Sequence, residues 1–158
     1  MSKLRDTVVG IIGTGATAVQ AVPQLAAAAK QLYVFQRTPS SIDVRDDWPT
    51  DPNWARKLAP GWQAKRRARA LTARELTPEQ QAAQAKLSRE EKIQSQENAN
   101  IDYMMRIHTR IDSIVQDQAT ADALKPWYMF MCKRPCFHND YLPAYNRPNV
   151  ELVDTHGQ

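Results

Sequence analysis

The stretch TVVGIIGTGATAVQAVPQLAAAAKQLYVFQRTP, residues 7–39, decides the fold. Thr7 to Ile12 is a short β-branched, apolar run, which favours a strand because branched side chains pack well on a pleated surface. Gly13 to Gly15 breaks it. From Ala16 to Lys30 the chain is alanine-rich, with Val19, Val22, Leu25 and Ala26 at helical spacing, and Leu32 to Phe35 is apolar and β-prone again. Strand, glycine turn, helix and strand within about thirty residues make a βαβ unit, whose strands should run parallel with a right-handed crossover. Pro23 lies inside the helix, where its missing N–H and its ring predict a kink, but the flanking pattern outweighs one proline.

Gly13-Thr14-Gly15-Ala16-Thr17-Ala18 reads G-x-G-x-x-A between the predicted strand and helix, the context that a dinucleotide fingerprint requires. The first glycine permits the tight turn. The second lets the backbone approach a pyrophosphate, and the small third residue, Ala18, lets helix and strand pack closely. Orphan N–H groups of the first helical turn then face the anion. The second strand discriminates between coenzymes. An NAD or FAD site usually ends it with an acid that accepts from the ribose hydroxyls, whereas here it ends Gln36-Arg37-Thr38-Pro39. Arg37 offers a planar, permanently charged donor set for a 2′-phosphate and Thr38 adds a hydroxyl, so the residues point to NADP(H) over NAD(H). The fold class is therefore α/β, a Rossmann-like NADPH-binding domain with a partial, mostly parallel sheet and a helical insertion.

Outward from this unit the character changes. Residues 40–125 comprise a Pro-, Asp- and Trp-rich connector, Ser40 to Trp62, and then long polar helical sequence. Thr77-Pro78-Glu79-Gln80 reads as an N-cap, a proline at the first helical position and a capping-box glutamine, and Ser88-Arg89-Glu90-Glu91 repeats that logic. From Ile101, Met104, Met105, Ile107, Ile111, Ile114 and Val115 form one helical face opposite Arg106, Arg110 and Asp112, as expected of a packing stripe on an otherwise solvated insertion. Residues 126–158 are compact and aromatic. Trp127 to Met131 reads as a strand or as the approach to a loop, Asn139 as the cap of a helical turn through Tyr145, and Val150 to Val153 as a strand. The open ending after Asp154-Thr155-His156-Gly157 is what a piece of something larger would show. The whole is one partial domain of 158 residues, with 1–39 as its dinucleotide unit, 40–125 as connector and insertion, and 126–158 as a return segment.

Composition sets limits. The chain is 42% hydrophobic and 24% charged, as in soluble globular domains, and it holds no apolar run of membrane-spanning length. Met1 to Ala29, with Lys3 and Arg5, lacks the uninterrupted apolar stretch of a secretory signal, so a cytoplasmic location is expected. The net charge of +4 permits anionic partners without demanding nucleic acid. Arg56, Lys57, Lys65, Arg66, Arg67, Arg69 and Arg74 do form a local basic block. Cys132 and Cys136 in CKRPC lack the second ligand pair of a structural zinc site, and His108, His138 and His156 are scattered, so no metal is expected.

Two segments carry a resemblance. VVGIIGTGATAVQAVPQLAAAAKQLYVFQRTPSS, residues 8–41, resembles the NADPH-binding segment of class B flavoprotein monooxygenases of the Baeyer–Villiger type, and KPWYMFMCKRPCFHNDYLPAYNRPNVELVD, residues 125–154, is similar to a second stretch of the same enzymes. The resemblance implies that NADPH reduces FAD, that reduced flavin takes O2 to a C4a-peroxyflavin, and that this attacks a ketone to give an ester or lactone. By position, Gly13, Thr14, Gly15, Ala16, Thr17, Ala18 and Gln20 would hold the pyrophosphate, and Arg37, Thr38 and Lys133 the 2′-phosphate. Arg134 matches the family's active-site arginine, which stabilises the negatively charged peroxyflavin. From its residues alone CKRPC reads as a surface loop, in which an extended Lys133-Arg134 before a proline would present two adjacent cations to opposite sides.

The sequence departs from the family in having no FAD-type G-x-G-x-x-G with an acidic strand end and no F-x-G-x-x-x-H-x-x-x-W fingerprint. It is thus expected to cover only the middle of such an enzyme, to lack the FAD-binding domain as a partner, and to be inactive alone. Three other readings stand beside this one. A truncated fragment would bind NADP(H) or nothing, without catalysis. A short-chain NADP-dependent reductase would want Tyr-x-x-x-Lys, and no lysine here has a tyrosine four residues before it. A nucleic-acid-binding helix would use the basic block from Arg56 to Arg74 with Trp54 and Trp62 as stacking platforms.

Overall fold

The structure is a computed structural model that describes residues 4–72 and 77–157, so Lys3 and Arg74 of the readings above lie outside the described residues. The chain groups into two compact units, one of residues 1–45 with 98–158 and one of residues 46–97.

The first unit is built on the βαβ segment. Strand β1, Val8–Ile12, leads through the glycine turn into helix α1, Ala16–Ala28, and back into β2, Gln31–Gln36. β1 and β2 pair in parallel, with Val9 opposite Leu32 and Ile11 opposite Val34. The third strand of this sheet, β5, Val150–Asp154, pairs in parallel with the other side of β2, giving the order β1-β2-β5. Alternation along β2 puts Leu32, Val34 and Gln36 on the buried face, where Val19, Val22 and Ala26 of α1 pack against them in one apolar cluster. The opposite face is open among the described residues: Val8 is 65% and Ile12 90% exposed on β1. Parallel sheets are ordinarily covered on both faces.

α1 runs through Pro23 as one helix. No glycine stands at its C-terminal end, and its last carbonyls are satisfied from far along the chain. Asn149 Nδ2 donates to the carbonyls of Ala26 and Ala29, both at 3.0 Å, which also fixes the entry into β5. The core is completed by later elements. Helix α4, Arg89–Ile114, contributes Met104, Ile107 and Ile111; helix α5, Gln118–Leu124, contributes Ala121 and Leu124; and the single turn α6, Tyr141–Ala144, contributes Tyr141 and Leu142. Tyr145 donates to the Tyr141 hydroxyl at 2.7 Å within this core, and burial pushes the Tyr141 hydroxyl up to about 12.

Two local expectations are corrected. Met105 is 57% exposed and does not join the buried stripe of α4, because it falls one residue round from Met104. Asn139 does not cap α6, whose N-cap is Asp140 without a side-chain bond; it exchanges two 3.0 Å hydrogen bonds with the backbone of Arg45 instead. Of the two readings of Trp127 to Met131 the structure takes the loop, with no strand there and Met131 at a φ of +71°.

In the second unit, a short 3-10 turn, Trp54–Lys57, precedes helix α2, Trp62–Thr72, and helix α3, Pro78–Ala85. The capping box is formed at α3: Thr77 Oγ1 accepts from Gln80 N at 3.2 Å and Gln80 Oε1 accepts from Thr77 N at 2.9 Å. Ser88 and Glu91 repeat it at the start of α4, with bonds of 3.1 and 2.7 Å. Trp54 and Trp62 pack edge to face, 5.0 Å between centroids.

Candidate coenzyme site

The turn between β1 and α1 is shaped for an anion. Gly13 has φ of +97°, and its N–H donates to the Phe35 carbonyl at 2.8 Å, closing the turn onto the end of β2. Gly15 is the N-cap of α1 in an extended conformation, with no side-chain cap and no acidic residue in the first turn. The first N–H groups of the helix are therefore left to a ligand, and the helix dipole adds partial positive charge there. Thr14 laces the turn to the loop after β2. Its Oγ1 donates to the Thr38 carbonyl at 2.8 Å, and Ser40 Oγ donates to the Thr14 carbonyl.

The two glycines separate on mutation. Gly13→Ala is expected to cost about 1–2 kcal/mol of stability, because L-residues pay that much for left-handed backbone. At Gly15 the φ is −74° and an added Cβ meets no heavy atom within 4 Å. Gly15→Ala should leave stability intact and weaken coenzyme binding by crowding the approach of the pyrophosphate. Urea unfolding and coenzyme titration of both variants check this; a stability loss at Gly15 equal to that at Gly13 would sink the distinction.

The second loop reaches the same place through a small ladder. Strand β3, Ile42–Asp43, pairs in parallel with β4, Cys136–Phe137, and Cys136 N donates to the Ser41 carbonyl at 2.8 Å and His138 N to the Asp43 carbonyl at 3.0 Å. Asp43 is clamped in turn by the Arg106 guanidinium, with bonds of 3.0 and 2.8 Å. Bidentate pairing of this kind fixes geometry as well as charge. The ladder delivers Lys133 and Arg134 to the mouth of the glycine turn.

Of the residues expected from sequence, Gly13, Thr14, Gly15, Ala16, Arg37, Thr38, Lys133 and Arg134 line one cavity of about 330 Å3, together with Ser40. None of these residues is acidic. Burial, with the charge of Arg37 added, lowers the pKa of the Lys133 ammonium, as expected where cations converge without their anion. Thr17 is exposed, Ala18 is a buried residue of α1, and Gln20 lines a different cavity with Pro135 and Phe137. Ser40 is the residue the motif reading missed; the hydroxyl-rich run Thr38-Pro39-Ser40-Ser41 is its only signal.

A second cavity, of about 570 Å3, adjoins the first and shares Arg37 and Thr38 with it; Trp127, Asp154 and His156 form other parts of its wall. Ala123 of α5, also on that wall, accepts a hydrogen bond through its carbonyl from Gln36 Nε2 at 2.7 Å. Lys125, also on the wall, is held by Asp112 and Asp122 at 2.7 Å each. Among the described residues there is no group of His, Cys, Asp or Glu that could hold a metal ion, and no helix is long and apolar enough to cross a membrane.

No protein-family model matches the chain. The Baeyer–Villiger monooxygenase ATR8 of Stachybotrys chlorohalonatus is 49% identical over 177 aligned positions, covering 99% of this chain and 28% of the relative. Over its whole length the chain matches one segment of Baeyer–Villiger monooxygenases. The polycyclic ketone monooxygenase of Thermothelomyces thermophila superposes with a TM-score of 0.80 at 39% identity, over 99% of this chain and 29% of that one. A steroid monooxygenase solved with NADP gives 0.67 at 27% identity, over 93% and 32%. The chain thus spans about 30% of the length of the relatives it matches. The 177 aligned positions also exceed its 158 residues, so the ATR8 stretch holds residues that this chain lacks.

Proposed function

We propose that this chain is the NADP(H)-binding portion of an FAD-dependent monooxygenase that inserts one atom of O2 into a ketone. The observation that carries the reading is the convergence of an uncapped, acid-free helix N-terminus with Arg37, Lys133 and Arg134 on one cavity. The turn from Gly13 to Ala18 holds the pyrophosphate through backbone N–H groups, and Arg37, Thr38 and Lys133 hold the 2′-phosphate. Since the 2′-phosphate sits on the adenosine ribose, the adjoining cavity that shares Arg37 and Thr38 receives the adenine beside Trp127. Arg134, next to Lys133 on the same cavity, is the catalytic cation that faces the reacting end. Bound NADPH and FAD supply the redox chemistry, and these residues bind, orient and stabilise charge. FAD is held by parts of such an enzyme other than these residues.

Titration of the full chain with NADP+ and NAD+ across pH tests the reading. Below about pH 6 the phosphate gains a proton and attracts the cations less. At high pH Lys133 loses its proton below the ordinary lysine value, since burial and Arg37 depress it. Phosphate binding favours the protonated amine, so affinity is full below the depressed pKa and declines as pH rises through it. NADP+ affinity should therefore fall on both sides, while NAD+, without the phosphate, shows neither limb. Equal affinities and parallel pH profiles for the two coenzymes would refute the assignment.

A further inference from the structure

We propose that Tyr128 is a positioning residue for coenzyme selectivity, holding the Lys133 ammonium beside Arg37 so that both cations meet the 2′-phosphate. This rests on the NADP(H) reading above. The problem Tyr128 solves is set by the charges. Arg37 and Lys133 line the same cavity with no acidic residue on its wall, and a lysine on a flexible four-carbon stem would swing away from a neighbouring guanidinium into water. Here the Lys133 Nζ stands over the Tyr128 ring, 5.1 Å from its centroid, within the range where the ring quadrupole attracts a cation.

The ring is itself anchored to the loop that carries the partner cation. The Tyr128 hydroxyl donates to the Pro39 carbonyl at 2.9 Å, one residue beyond Thr38, and Trp127 flanks the ring edge to face at 6.0 Å. Tyr128 therefore ties the 37–39 loop and the Lys133 side chain into one arrangement, without lining the cavity. Burial raises the pKa of the hydroxyl, with the Ser41 backbone drawing it partly back, so the group remains a donor where the coenzyme is assayed.

The test uses the full chain and its Tyr128→Leu, Tyr128→Phe and Lys133→Met variants, with the dissociation constants of NADP+ and NAD+ measured alongside a urea unfolding curve. Tyr128→Leu removes ring and anchor, and should cut the NADP+ preference by about two- to fivefold, the worth of an exposed cation–π contact, with NAD+ affinity unchanged. Tyr128→Phe keeps the ring but loses the Pro39 bond, and should fall between. In the Lys133→Met background, Tyr128→Leu should have no further effect on selectivity, because the residue acts through Lys133. A loss shared equally by both coenzymes, or a selectivity effect that survives in Lys133→Met, would overturn the proposal and leave Tyr128 structural. If Tyr128→Leu does not fold, an unchanged preference in Tyr128→Phe overturns it. If the unmodified chain shows no preference for NADP+, the NADP(H) reading fails first and this inference with it.

Discussion

Replacing Arg37 by alanine is expected to weaken NADP+ binding by roughly 10- to 100-fold while leaving NAD+ binding nearly unchanged. The magnitude follows from hydrogen bonds to charged groups, worth about 1.5–3 kcal/mol, at tenfold per 1.4 kcal/mol. Arg37 follows the last residue of β2 and is exposed, so its loss removes no buried contact. It lines both cavities, which places it where the ribose would join pyrophosphate to adenine. Removing it also relieves Lys133 of a neighbouring positive charge, so the Lys133 pKa should rise toward its ordinary value and the alkaline limb of NADP+ binding should move to higher pH. Arg37→Lys should recover part of the affinity, since a point charge replaces a planar fork. Calorimetric titration of both coenzymes measures all of this; equal weakening of NAD+ would mean that Arg37 shapes the loop and does not read the phosphate.

The dinucleotide half was legible in the sequence because each level of it agrees locally. β-branched residues, a glycine turn and an alanine-rich helix all fall within thirty positions, and the parallel pairing of β1 with β2 follows from their order. Caps were equally legible, since Thr77 with Gln80 and Ser88 with Glu91 act over three residues. What escaped was long-range. Asn139 has the composition of an N-cap, but its partner is the Arg45 backbone, 94 positions away. Asn149 closes α1 from 123 positions away, and nothing local marks it. At the site, Arg37 and Thr38 could be read from the strand end, whereas Lys133 and Arg134 came through family resemblance alone. The ladder of β3 and β4 that brings them to the turn is two residues long, too short to leave a periodic trace.

Ile107→Ala is expected to destabilise the chain by about 2–5 kcal/mol, the range for truncating a buried isoleucine or leucine. Ile107 is fully buried, packed in one cluster with Val34 of the sheet, Leu124 of α5 and Tyr141 of α6. Polar sequence surrounds it on α4, and hydropathy alone would assign the whole stretch to a solvated insertion. The structure divides that stretch: residues 98–158 group with the sheet, and residues 46–97 form their own unit. Ile93, on the same helix but within the second unit, is 46% exposed, and Ile93→Ala should change stability by no more than about 0.5 kcal/mol. Since domains are stable by only about 5–15 kcal/mol, Ile107→Ala removes a large share of the total, and its NADP+ binding should fail on warming well before that of Ile93→Ala. Urea unfolding followed by near-ultraviolet circular dichroism reads both variants. Equal midpoints would mean that α4 does not belong to the core that carries the coenzyme site, and that the ion pair between Asp43 and Arg106 has no rigid helix behind it.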